Sequence, residues 1–161
     1  TYRVFADFTP TATGRGLYAS ADMQVEDDRL HAMRRGPRAA AAFPLSCEKQ
    51  EYRFTLDAAT VPIHAGQPAD LKFSAVRVDG GPVAMEPVMG AFAHLVAFDE
   101  ARSGFAHLHP NETDLAKPPD SLRPELTFKV TIPEPGRYVI WAQVNLGGSE
   151  IFVPFWVDVT P

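Results

Sequence analysis

Three of the five histidines in this chain, His94, His107 and His109, fall within one short stretch. Neutral imidazole is a common protein ligand for borderline transition metals and suits zinc and copper alike. Whether three such rings can meet depends on the spacing. Phe92 to Phe98 and Phe105 to His109 read as two strands joined by Asp99-Glu100-Ala101-Arg102-Ser103-Gly104. A turn that sets Phe98 opposite Phe105 sets Val96 opposite His107 and His94 opposite His109. Residues two apart in a strand share a face, so Phe92, His94, Val96, Phe98, Phe105, His107 and His109 are expected on one side. Ala93, Leu95, Ala97, Ala106 and Leu108 are expected on the other. Directly opposed residues have Cβ atoms about 5 Å apart, which lets two imidazoles reach one ion at about 2.0–2.1 Å per bond. A slip of one residue would carry His94 to the wrong face. The expectation is therefore one of register.

Met89 stands at the same end of this hairpin as His94 and His109 and is an optional fourth ligand; a thioether there would favour copper over zinc. Met85 is a weaker candidate of the same kind, and Glu112 and Asp114 offer oxygen donors in the following loop. The competing reading makes the three histidines ordinary members of a sheet face, bonded to backbone or carboxylate and converging on nothing. On that reading the chain is an immunoglobulin-like structural or protein-interaction module without a metal. Catalysis has little support: there is no G-x-S-x-G, no phosphate-cradling glycine loop and no H-E-x-x-H. The chain is read as non-enzymatic, with copper or zinc as its ion and no organic cofactor.

The elements that must hold the histidines are short and extended. Tyr52 to Leu56, Leu71 to Val78, Leu126 to Ile132, Arg137 to Val144 and Glu150 to Val159 join the two histidine strands to make about seven, at the regular spacing of an all-β sandwich. Fifteen prolines and eleven glycines, spread along the 161 residues, mark the turns between them. Apolar residues make up 45 % of the chain, enough for a core. Trp141, Trp156 and the phenylalanines are assigned to that core; an aromatic sugar-binding face would instead need Trp141, Tyr138 and Trp156 exposed. The net charge of −5 argues against nucleic acid as a partner. No run approaches the roughly 18–20 apolar residues of a membrane span.

Residues 51–161 are read as the sandwich domain and 26–50 as a linker. His31 in the linker and His64 in a loop are given no role, and Cys47, the single cysteine, is read as an incidental thiol outside the domain. Residues 1–25 repeat the end of the chain: Tyr2 to Phe8 matches Tyr138 to Val144 position by position, and Leu17 to Val25 matches Ile151 to Val159. They are read as the terminal hairpin of a truncated first repeat, the chain opening directly in a strand-like pattern. Because a lone hairpin is marginal in water, it is expected to pair with the sandwich edge or with another chain. The second arrangement would give a homodimer through the N-terminal hairpin or a sheet edge.

Met89-Gly90-Ala91-Phe92-Ala93-His94-Leu95, Phe105-Ala106-His107-Leu108-His109-Pro110 and Pro135-Gly136-Arg137-Tyr138 resemble the M-G-x-x-x-H-L, F-x-H-x-H-P and P-G-x-Y motifs of an uncharacterised group of bacterial extracytoplasmic β-sandwich proteins. The resemblance covers about 110 residues of the second unit and the tail of the first. It implies an antiparallel immunoglobulin-like or cupredoxin-like sandwich outside the cytoplasm (periplasmic, secreted or membrane-anchored), with a loose association to heavy-metal or copper handling. A type 1 copper centre needs a cysteine thiolate with two histidines. With Cys47 placed outside the domain, ion carriage or storage fits better than electron transfer.

Overall fold

The computed structural model describes residues 1–25 and 42–161. The chain divides into two units, Thr1–Ala40 and Ala41–Pro161. In the first, β1 (Tyr2–Phe8) and β2 (Leu17–Met23) form a two-stranded antiparallel sheet in which Tyr2 opposes Met23 and Phe8 opposes Leu17.

The second unit is an all-β sandwich. It contains β3 (Leu45–Lys49), β4 (Tyr52–Ala58), β5 (Ile63–His64), β6 (Pro68–Arg77), β7 (Met85–Glu86), β8 (Ala93–Asp99), β9 (Phe105–Leu108), β10 (Glu125–Thr131), β11 (Gly136–Leu146) and β12 (Ser149–Thr160). One sheet has the order β10-β6-β4-β3; the other runs β5-β12-β11-β8-β9, with β7 added beside β11. Among the described residues there is no helix, and none is long and apolar enough to cross a membrane.

The alternation read from the sequence sets the inward faces. Phe54, Leu56, Leu71, Phe73, Leu126 and Phe128 of the first sheet are buried in one core with Leu95, Ile140, Val144, Val153, Phe155 and Val157 of the second. Each full burial of a large apolar side chain is worth about 1.5–3 kcal/mol, and strands that supply one at every second position are held firmly in register.

Four expectations are corrected. Residues 45–49 are not linker but strand β3, which pairs with β4 from Leu45↔Leu56 to Lys49↔Tyr52. Its alternation is too short to stand out beside the Ala/Pro-rich stretch before it. The rest of the expected linker, residues 26–41, lies outside the described residues. Cys47 therefore belongs to the sandwich, half-buried on β3. Trp141 and Trp156 are not core: they are 38 % and 40 % exposed. Ile140, Ala142, Phe155 and Val157 occupy the inward positions of β11 and β12, and parity sends both tryptophans outward. Of the three aromatics a sugar-binding face would need, Tyr138 packs against the core. Phe92 does not share the histidine face. It precedes the first residue of β8, in a bend where alternation does not apply, and its ring enters the core.

His64, left without a role, closes the sandwich edge. Strand β5 pairs in parallel with the end of β12, and the His64 ring bonds the Pro161 carbonyl at 2.8 Å.

Candidate metal centre

Strand β8 lies inside the six-stranded sheet and β9 at its rim. Their ladder runs Phe98↔Phe105, Val96↔His107 and Leu95↔Leu108, the expected register. Asp99 sets it: its carboxylate accepts from the Ser103 and Gly104 backbone N–H groups and the Ser103 hydroxyl, folding the connection back on itself. Leu95, Ala97, Ala106 and Leu108 turn toward the core, and His94 and His107 turn outward together. His109 follows one residue past the end of β9.

The three rings form a nearly equilateral triangle. Their centroids are 4.9 Å apart for His94–His107, 4.8 Å for His94–His109 and 4.9 Å for His107–His109. Imidazoles bound to one ion at about 2.0–2.1 Å per bond have centroids about 5 Å apart. The candidate ligand nitrogens all lie within 4.8 Å of one another, whereas around a tetrahedral ion with such bonds they would be about 3.3 Å apart. Closing the site therefore asks for a small inward swing, which His109, exposed at the rim, can supply.

Hydrogen bonding assigns the nitrogens. His94 is 1 % exposed, although it points away from the core. Its one backbone partner lies in a tight turn just before β8, in which Val88 and Ala91 exchange backbone bonds of 2.7 and 3.1 Å around Met89 and Gly90. Both central residues have positive φ, 48° at Met89 and 82° at Gly90, the conformation of a two-residue primed turn, which favours glycine. Val88 and Ala91 are themselves buried, and the Val88 carbonyl lies 2.9 Å from His94 Nε2. A carbonyl can only accept, so Nε2 carries the proton and Nδ1 presents its lone pair. That Nδ1 lies 2.8 Å from His107 Nε2. A ligand histidine commonly donates its second N–H to a carbonyl in this way, fixing its tautomer and ring orientation. Burial, with added repulsion from His107 and His109 when they are charged, holds the His94 pKa below its ordinary value, and only the Val88 bond opposes this. His94 is thereby kept in the neutral form that a metal requires.

Residues beyond the histidines anchor the chain that follows His109. The Asn111 backbone N–H donates to the Thr127 carbonyl at 2.8 Å, and the Glu112 carboxylate accepts from the Thr127 N–H and hydroxyl at 2.9 and 2.8 Å. Pro110 between them and His109 is buried. The segment after His109 is thus pinned to β10 of the opposite sheet. This clamp was not read from the sequence, where Asn111 and Glu112 look like ordinary loop residues. It also commits Glu112, and Asp114 is engaged with Lys117 and the Ala116 N–H. Met89 is 69 % exposed at the tip of the turn that grips His94 through Nε2, whereas His107 meets His94 at Nδ1. Cys47 is remote, because β3 is the far edge of its sheet, beside β12, while β9 lies beside β10.

Such a set of nitrogens, two half-buried or buried and one exposed, can bind an ion of the zinc or copper kind. No curated protein and no solved structure matches the chain. Residues 47–161, the sandwich from within β3 to the last residue, match the model of a Domain of unknown function (DUF8832), and the chain belongs to that family.

Proposed function

We propose that this protein is a non-enzymatic β-sandwich that binds a transition-metal ion, copper or zinc, through His94, His107 and His109. The observation that carries the reading is the convergence of His94 Nδ1 on His107 Nε2 at 2.8 Å while His94 Nε2 is held by a backbone carbonyl. A purely structural histidine face would send its nitrogens to separate backbone or carboxylate partners, and only one of these contacts fits that description. Without an ion, one proton bridges the two rings. An ion would be held by the lone pairs of His94 Nδ1 and His107 Nε2, His107 then carrying its proton on Nδ1. The carbonyl bond to His94 stays unchanged, so the most buried ligand is already oriented and little ordering remains to offset binding.

Calorimetric titration of the chain with Zn(II) or Cu(II) tests this. One equivalent should bind with a micromolar or tighter Kd. His94→Ala combined with His109→Ala should weaken it at least a hundredfold, about 2.7 kcal/mol or more. Binding of undiminished strength in the double variant would refute the assignment.

A further inference from the structure

The three imidazoles are graded in exposure in one direction. His94 is buried, His107 half-buried and His109 exposed. β9 is the rim strand of its sheet, and His109, just past its end, is the exposed member of the three. No cysteine, aspartate or glutamate among the described residues joins the group. The two carboxylates of the loop after His109, Glu112 and Asp114, are held by Thr127 and by Lys117. Structural zinc sites close all four positions with protein ligands, and sites with three protein ligands leave one position for an outside group.

We infer that the ion enters and leaves this site by exchange with an outside donor, an inference that rests on the metal reading above. A nitrogen, oxygen or sulfur donor of the incoming ligand bonds to the ion at the open fourth position. The bond to His109 then breaks, followed by those to His107 and His94. The ion keeps its charge and oxidation state throughout. Any proton on the incoming donor passes to water, the imidazoles depart neutral, and each bond lost is replaced by one to the new ligand. The order follows from anchoring. His109 faces solvent, whereas His94 is buried and tied to the Val88 carbonyl. The site is then a station from which a metal is handed on, with a small chelating molecule or a ligand side chain of another protein as its counterpart.

The kinetics of removal test this. The full chain is loaded with one equivalent of Zn(II) and mixed rapidly with increasing 4-(2-pyridylazo)resorcinol, and the coloured complex is followed. The transfer rate should rise in proportion to the reagent over at least a tenfold concentration range. A rate that levels off, set by unaided dissociation, overturns the inference while leaving binding intact. Failure to take up Zn(II) at all overturns the metal reading itself. A second arm uses Met89→Ala. If the thioether fills the fourth position from within, the variant should lose its ion tenfold or more faster, and that outcome also overturns the inference; a change below twofold supports it.

Discussion

Two hairpins in this chain have the same register and opposite fates. In β1–β2 the pairs run from Tyr2↔Met23 to Phe8↔Leu17, and in β11–β12 the equivalent positions run from Tyr138↔Val157 to Val144↔Ile151. The sequence repeat is thus repeated pair for pair in the ladder. The connections differ: β11–β12 continues two pairs further to a tight Gly147-Gly148 turn, while β1–β2 spans residues 9–16. The larger difference is burial. Val4 is 48 % exposed and its counterpart Ile140 0 %; Phe8 is 45 % exposed and its counterpart Val144 0 %. Local pattern can therefore dictate pairing and facing without supplying the cover that turns an apolar face into a core. The cover over β11–β12 is the sheet β10-β6-β4-β3.

The sharpest way to break this comparison is to place a carboxylate at the matched positions. Ile140→Asp should destabilise the sandwich by more than about 4 kcal/mol, because the charge has neither water nor a partner there. Val4→Asp should shift the same denaturant-unfolding transition by less than about 0.5 kcal/mol. Equal effects would show that the two faces are equivalently covered in solution.

Hydrogen exchange sharpens the contrast without any substitution. Amides of β11 should exchange only through openings close to global unfolding in free energy. Those of β1 should exchange with little protection, as a two-stranded hairpin is marginal by itself. Comparable protection in the two strands would mean that β1–β2 is stabilised in a way its exposure does not reveal.

The smallest effect concerns acid. Residues 1–25 contain no histidine, whereas the sandwich buries His94. Its folded pKa is lowered, chiefly by burial, so above about pH 6.5, the ordinary value for histidine, stability is at its full level. As the pH falls below that value the unfolded chain takes up the proton more readily, and stability declines until the folded pKa is passed. The loss should be at most about 1.4 kcal/mol for each unit of depression. It should be absent in His94→Gln and absent from signals of the β1–β2 hairpin.

The histidine site was legible to an unusual extent because it depended on parity. Phe98↔Phe105 and Val96↔His107 follow from the six-residue turn and period-two alternation, and these put His94 and His107 on one face. What could not be read was the cover and the grip. The Val88 carbonyl that holds His94 belongs to the Met89-Gly90 turn, whose positive-φ conformation brings the chain back on itself. The Thr127 clamp joins Asn111 and Glu112, in the loop after β9, to β10 of the opposite sheet. Neither has a periodic signature, since each depends on a loop conformation and a long-range meeting.

By itself, then, the sequence determined which residues alternate, how the two histidine strands pair and that His94 and His107 share a face. All of these are set by the two-residue repeat of an extended backbone and by short turns. The tertiary structure decided what each face meets. Parity told the two faces of β11 and β12 apart but did not say which one a second sheet would cover. Trp141 and Trp156, assigned to the core on their apolarity, lie on the outer face, and Val4 and Phe8 are exposed where Ile140 and Val144 are buried. Burial is a property of two surfaces brought together from distant parts of the chain, and one strand's pattern describes only one of them.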